Sequence, residues 1–142
     1  MKQILAQINT TLTTDSALVA LLEYNATTNN NILRFEGLKK YDLDRMLLFG
    51  KLRSDDDLGL NTSKVRLYYL ELQALDKTKD IILSDIMERV LEVLNNLKIE
   101  ETGEMQAPQI VWDGYISPTY YDNELNYYMK NIRFKMIVKK LD

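Results

Sequence analysis

The sequence contains neither cysteine nor histidine. The absence of cysteine excludes disulfides, thiolate nucleophiles and every metal site built on cysteine ligands. The absence of histidine removes the side chain that titrates closest to neutral pH and that most often binds metals in proteins. Catalytic triads that depend on histidine are therefore excluded, and any chemistry would have to use carboxylate, lysine or tyrosine groups.

Long apolar runs are also missing. The first residues, Met1–Gln7, are too polar for the apolar part of a signal peptide, and no stretch approaches the ~20 apolar residues of a membrane helix. We therefore expect a protein that is made in a cytoplasm, or assembled there into something larger, and that has no membrane partner.

What is present is typical of one globular domain. The chain has 142 residues, of which 46% are hydrophobic and 27% charged, and this predicts a single domain over 1–142 with one core. The formal net charge of −3 disfavours a protein whose whole surface binds nucleic acid.

Apolar periodicity predicts the order of elements. Helical spacing covers about 2–12, one or two turns over about 15–23, and 82–97. Strand patterns cover about 32–35, 65–75, 109–116 and 127–140. The fold class predicted from this order is α+β, with a mostly antiparallel sheet of about four strands packed against two helices.

The stretch over about 36–63 has the least regular pattern, and we expect a long irregular loop there. Glycines and an acidic turn at Asp55–Asp57 interrupt this stretch, but it also contains the apolar run Leu47, Leu48 and Phe49. A disordered linker would be more polar. Such a loop packs on its own domain or contacts a partner.

Two acidic patterns are candidates for metal chemistry. Clustered carboxylates such as Asp55–Asp57 suit hard cations, but consecutive residues rarely point their oxygens at one site. Glu71 and Gln73 resemble part of the carboxylate pattern of metal-dependent nucleases, but no lysine follows at the required spacing. We therefore expect no enzymatic activity, no metal and no cofactor.

Tyrosines and basic residues are the remaining candidates for function. Tyrosine pairs on strands place one member in the core and the other outside, where tyrosine suits protein interfaces or, alternatively, stacking on single-stranded nucleic acid. The last strand alternates apolar residues with basic ones, and those charges either discourage edge pairing or form a surface for an acidic partner or for DNA. The predicted interface residues are Leu47, Leu48, Phe49, Tyr69, Tyr121, Tyr127, Arg133, Lys135 and Lys139.

Four segments resemble the tail terminator (tail completion) proteins of long-tailed bacteriophages. The segments that carry the resemblance are Ile4–Ile8, Leu12–Leu22, Ile86–Leu94 and Tyr128–Val138. They span most of the chain and share a pattern with the family rather than a diagnostic motif. The stretch 36–63 departs from the compact strand–turn–strand of the family.

The resemblance implies a structural subunit and not an enzyme. It implies a homohexameric ring that caps the head-proximal end of the tail tube, with the tail tube protein and a head-side connector or stopper protein as partners. DNA would pass through the lumen without sequence readout. The expected location is the tail-neck region of a virion, assembled in the host bacterial cytoplasm. The alternatives are another head–tail connector, a tube subunit, or a small nucleic-acid-binding module that uses the basic C-terminal strand.

Overall fold

Helices pack on one face of a mixed sheet in the computed structural model, which describes residues 2–35, 42–54, 65–100 and 108–139. The helices are α1 (Lys2–Thr14), α2 (Ser16–Leu22) and α3 (Ile81–Leu94). The strands are β1 (Ile32–Arg34), β2 (Arg45–Ser54), β3 (Val65–Asp76), β4 (Val111–Ile116), β5 (Tyr120–Asp122) and β6 (Tyr127–Lys139).

The sheet has the strand order β1-β2-β3-β6-β4, and β5 pairs with the first residues of β6 on the side that β4 also uses. Every pairing is antiparallel except that of β1 with β2, which is parallel. The predicted α+β class is confirmed. The sheet is mixed and larger than predicted, with six strands among the described residues, and three helices replace the predicted two.

The main core lies between the helices and the sheet. On β6, Ile132, Phe134, Met136 and Val138 are buried in this core, while the odd-numbered Arg133, Lys135 and Ile137 lie on the opposite face and are only partly buried or exposed. Side chains alternate between the two faces of a strand, so the sequence pattern of β6 gave its orientation correctly. We call the face away from the helices the outer face.

Asp15 ties α2 to α3. As the N-cap of α2, its carboxylate accepts a hydrogen bond from the backbone N–H of Leu18 at 2.9 Å. It also accepts from Nε and Nη2 of Arg89 on α3, at 2.8 and 2.6 Å. These side-chain hydrogen bonds from Arg89 lower the pKa of Asp15. One carboxylate therefore satisfies a helix terminus and joins two helices.

The irregular loop predicted over about 36–63 is wrong for Arg45–Ser54, which forms β2, while 36–41 and 55–63 lie outside the described residues. Leu47 and Phe49 are buried in the main core, and Leu48 is buried on the outer face in a second cluster. A strand covered on both faces is a continuous apolar run without alternation, which explains why the pattern looked irregular. Gly50, at φ 95°, lies where the β2–β3 register shifts between Leu48 and Lys51, so it forms a bulge and does not end the strand.

The second cluster covers one end of the outer face. Its buried members are Met46, Leu48, Leu75, Tyr127 and Met129, and the partly buried Leu33, Phe35, Leu43 and Leu125 pack against them. The Tyr127 hydroxyl donates a hydrogen bond to the carbonyl oxygen of Leu43 at 2.5 Å. Burial raises the pKa of this phenol. The part of the outer face beyond this cluster is the part that remains open.

Candidate interface surface

The open part of the outer face is formed by the odd-numbered residues of β3 and β6. The register places Tyr69 opposite Lys135 and Glu71 opposite Arg133. The strand pattern therefore brings Tyr69, Arg133 and Lys135 together on one surface, although they are far apart in sequence. Ile137 lies next along β6 and is 46% exposed, so a large apolar side chain also lies on this surface.

Arg133 is held between two tyrosine rings. Its guanidinium carbon lies 5.0 Å from the ring centroid of Tyr69 and 5.2 Å from that of Tyr115. Its Nε donates a hydrogen bond to the carboxylate of Asp113, whose side chain is largely buried. Cation–π contacts contribute about 0.5–1 kcal/mol at exposed sites, and the ion pair fixes the guanidinium orientation. We call Tyr69, Asp113, Tyr115 and Arg133 the arginine–tyrosine cluster.

A bulge in β4 positions Asp113 and Tyr115. The β4–β6 register shifts between Trp112 and Tyr115, and Gly114 adopts φ 83° inside this shift. The backbone N–H of Trp112 donates to Oδ1 of Asn95, directly after α3, at 3.0 Å, and its Nε1 donates to the Tyr115 carbonyl oxygen at 3.3 Å. Bulges re-aim side chains next to functional surfaces, and this one directs Asp113 toward Arg133.

A shallow groove adjoins the cluster. It has a volume of about 370 Å³ and lies between β3, β6 and the residues around the start of β4. Apolar side chains dominate its lining, including Leu67, Val111 and Ile137, with Tyr69 and Lys135 beside them. Apolar surface next to aromatic and basic groups is typical of the centre of protein interfaces.

Tyrosines on β5 extend the exposed aromatic surface toward the sheet edge. Tyr120 is 39% exposed, and its hydroxyl accepts a hydrogen bond from Nδ2 of Asn131 at 3.2 Å. Tyr121 is 44% exposed and packs edge-on against Tyr128 with 5.0 Å between ring centroids. Because neighbouring residues of a strand point to opposite faces, only Tyr120 belongs to the outer face.

The structure separates the predicted interface residues into four groups. Tyr69, Arg133 and Lys135 lie together on the open outer face, and Tyr121 is exposed on β5. The predictions for Leu47, Leu48, Phe49 and Tyr127 are wrong, because these side chains are buried within the protomer and have almost no surface for a partner. Lys139 lies at the end of β6, and its side chain is outside the described residues.

Sequence reasoning missed two members of the arginine–tyrosine cluster. Asp113 and Tyr115 belong to a stretch that the pattern identified only as a strand. The available signal was the Asp113-Gly114 pair, because a glycine inside a strand pattern indicates a bulge.

A polar cavity of about 740 Å³ lies at the opposite end of the sheet, where β2 begins and β3 ends. Its buried carboxylate, Asp76, accepts hydrogen bonds from Arg45 Nε at 2.6 Å and from the backbone N–H groups of Thr78 and Lys79 at 2.9 and 2.7 Å. Burial alone would raise the pKa of Asp76, but these hydrogen bonds lower it on balance. The Asp76 carboxylate therefore stabilises the fold at this end of the sheet.

Within the described ranges, no group of three or more acidic side chains is placed to hold a metal ion. The acidic run Asp55–Asp57 lies outside those ranges. Nor does any helix in the described part of the chain have the length and apolar character to cross a membrane.

No protein-family model matches the sequence, and no curated protein matches it. A structural match does exist, to a chain from the virion of a native gene transfer agent (GTA) particle. The TM-score is 0.66 and the sequence identity 8%, and the alignment covers 93% of this chain and 91% of that chain. The two chains share a fold. At such low identity, the match concerns the fold and not the activity.

Proposed function

We propose that this protein is a structural subunit of a phage-like virion. The observation that carries the proposal is the fold shared with a chain of the gene transfer agent virion, over almost the full length of both chains. The resemblance of four sequence segments to tail terminator proteins supports the same class of protein. The first argument uses backbone geometry and the second uses residue pattern.

The specific role that we propose is that of a tail terminator. In this role, the protein forms a homohexameric ring on the head-proximal end of the tail tube and joins it to the head-side connector or stopper, and DNA passes through the lumen. A closed ring needs two different surfaces on each subunit that fit each other. The arginine–tyrosine cluster with its groove offers one such surface, since tyrosine and arginine are enriched among residues that dominate binding energy.

The electrostatics of this surface favour a protein partner over nucleic acid. Arg133 is already paired with Asp113, and Glu71 lies opposite it on β3. A phosphate backbone would meet these two carboxylates beside Arg133 and Lys135, so the four charged side chains leave no excess of positive charge. Binding of DNA relies on uncompensated positive charge, which releases counterions. A neutralised cluster with aromatic walls is better suited to a protein surface.

We propose no catalytic role. The sequence has no histidine or cysteine, and the three least accessible carboxylates among the described ion pairs, Asp15, Asp76 and Asp113, are each bound to an arginine. The pKa values of Asp15 and Asp76 are lowered, which makes these two carboxylates poor general bases.

Native mass spectrometry of the purified protein, with and without nuclease treatment, tests the ring. We expect one discrete hexamer whose mass is unchanged by nuclease. A tube subunit would instead give open-ended polymers, because its contacts do not close. A nucleic-acid-binding module would bind DNA with an affinity that falls steeply as salt rises. A strict monomer at high protein concentration would refute the ring.

A functional assay tests the terminator role itself. Tail tube protein is allowed to polymerise in the presence of this protein, and tube lengths are measured by electron microscopy. We expect tubes capped at one end that stop growing. Rings that form but never attach to tubes would favour a different connector.

A further inference from the structure

Ile81 is the most exposed large apolar side chain of the described residues, at 80%. It is the first residue of α3 and directly follows the N-cap residue Asp80, whose side chain makes no capping hydrogen bond. The exposed neighbours Lys79 and Asp85 carry opposite charges, so Asp80 leaves the start of α3 with a net negative charge. A single exposed apolar residue needs no partner by itself, but this one stands beside an available carboxylate.

The groove beside β6 has the complementary chemistry. Its walls include the apolar side chains of Leu67, Val111 and Ile137, and Ile137 is itself 46% exposed. Lys135 is the one charged residue among the described residues that line the groove, and its side chain is exposed. The groove, at about 370 Å³, therefore has room for an apolar side chain and offers a cation to a neighbouring carboxylate.

The charged neighbours of Lys135 leave it available to a partner. Arg133 is bound to Asp113. Glu71 lies diagonally across β3 from Lys135, where Cα atoms are roughly 7–8 Å apart, and no ion pair among the described residues joins the two. The described ion pairs do not include Asp80 either.

The start of α3 and the groove lie on opposite layers and at opposite ends of the sheet. Ile137 lies opposite Leu67 on the outer face, whereas α3 packs on the other face and begins five residues after Asp76, the last residue of β3. Leu67 and Asp76 are nine residues apart on β3, which is about 30 Å at ~3.4 Å per residue. One copy therefore cannot place Ile81 in its own groove.

We propose that one copy inserts Ile81 into the groove of the next copy and places its Asp80 carboxylate beside Lys135. This inference rests on the proposed function, because it names the second surface that the ring needs. A second copy is the occupant because the chain itself carries the matching apolar side chain and the matching charge. Two different surfaces at opposite ends of a subunit make a head-to-tail contact, which closes into a ring when each step has the same rotation.

The direction of α3 agrees with this contact. In each copy, α3 and β6 run the same way: both begin near the end of β3, and Asn95 after α3 binds the start of β4, which pairs far along β6. Neighbouring copies in a sixfold ring differ by a rotation of about 60°, so their elements keep similar directions. Asp80 precedes Ile81 in the direction in which Lys135 precedes Ile137, so both contacts form together.

Disulfide cross-linking tests the contact directly, because the chain has no cysteine of its own. The double variant Ile81→Cys/Ile137→Cys places one thiol on each surface. Within one copy, the two positions are much farther apart than the ~7 Å limit between Cα atoms for a disulfide, so any disulfide joins two copies. We expect a ladder of covalent oligomers that ends in one closed species on a non-reducing gel.

The controls use the same gel. Each single variant should stay monomeric, because a head-to-tail ring never places a position next to its own copy. Tyr121→Cys/Ile137→Cys should give no ladder, because Tyr121 is 44% exposed but lies on neither surface. If the reduced Ile81→Cys/Ile137→Cys variant fails to assemble, Asp80→Cys/Lys135→Cys repeats the test through the charged pair.

Charge reversal tests the partner of Lys135. Lys135→Glu and Asp80→Lys should each weaken the hexamer about fivefold in a dilution series, because each places like charges together. The double variant should recover most of the wild-type affinity, since it restores the pair with exchanged charges. Ile81→Ala should weaken the hexamer about tenfold or more through lost apolar burial, whereas the matched control Tyr121→Ala should change it little.

The contrary outcomes separate this inference from the proposed function. A hexamer in native mass spectrometry without a disulfide ladder from either pair would overturn the insertion of Ile81 and leave the ring intact. Failure of the charge-exchanged double variant to recover would overturn the pairing of Asp80 with Lys135. Covalent dimers of a single variant would overturn the contact in favour of a symmetric one. Absence of any oligomer of the wild-type chain would overturn the ring and the contact together.

Discussion

Replacement of Phe49 by alanine should destabilise the protomer itself and not only an assembly. The side chain is fully buried in the main core, directly before the bulge at Gly50. Removal of a buried phenylalanine side chain costs about 3–5 kcal/mol, because the lost apolar burial is joined by a cavity that neighbours fill only in part. A domain has about 5–15 kcal/mol of stability in total, so this single change removes a large share.

Urea unfolding followed by circular dichroism measures the loss. With a slope near 2 kcal/mol per molar urea, the Phe49→Ala midpoint should fall by about 2 M. The shift should be the same at two protein concentrations about tenfold apart, since a core contact does not depend on association. Phe49→Leu, which keeps much of the volume, should lose about 1 kcal/mol, and the exposed Tyr121→Ala about 0.5 kcal/mol or less.

One result would refute this reasoning. If dilute Phe49→Ala unfolds at the wild-type midpoint while its oligomer weakens, Phe49 is an interface residue, as the sequence alone predicted, and β2 is not packed in the isolated chain.

Three further predictions concern single sites. Asp15→Asn should reduce the loss of unfolding free energy that the wild-type protein shows as the pH is lowered. Because the pKa of Asp15 is lowered in the folded state, its contribution to stability is complete above pH ~4 and is lost as the pH falls through the folded-state pKa. A variant as acid-sensitive as the wild type would contradict this. Gly50→Ala and Gly114→Ala should each cost about 1–2 kcal/mol in thermal unfolding, because both backbones have a positive φ and the added Cβ makes at most an ordinary contact, 3.4 Å from Leu5 at Gly50; unchanged melting temperatures would contradict this. Tyr115→Ala should weaken the oligomer by about 1–2 kcal/mol in a dilution series, while the melting temperature of the dilute chain stays near that of the wild type. The control is Tyr121→Ala, which removes an exposed tyrosine side chain elsewhere. Equal weakening by both variants would show that the arginine–tyrosine cluster has no special role in assembly.

The sequence predicted elements well where one side of an element is solvated. Alternation along 132–138 gave both the strand and its orientation, and Phe134 and Lys135 lie on the faces that the pattern assigned. The spacing of apolar residues likewise identified α1 and α3. A half-buried element carries its own periodicity, so no knowledge of its neighbours is needed.

Prediction failed where both faces of an element are covered. Leu47, Leu48 and Phe49 are buried on alternate faces of β2, so the sequence shows no alternation of apolar and polar residues there. Tyr127 was assigned outward by the same parity that holds for Arg133, but the second cluster covers that end of the outer face. Local pattern gives the face of a residue, whereas tertiary packing decides whether that face meets water.

The same tertiary packing divides the sheet into two ends with different properties. At one end, the second cluster closes the outer face, the Arg45–Asp76 ion pair lies on the face that carries the helices, and the β1–β2 pairing covers the sheet edge. At the other end, the outer face carries the arginine–tyrosine cluster and the groove. If assembly uses the arginine–tyrosine cluster and the groove, variants that impair folding should lie at the closed end and in the core. Variants that impair only ring formation should lie at the end with the cluster and the groove, and at the exposed start of α3. A scan that measured unfolding in dilute samples and oligomer mass in concentrated ones would separate the two groups, and a random distribution of assembly defects over both ends would argue against assembly through this surface.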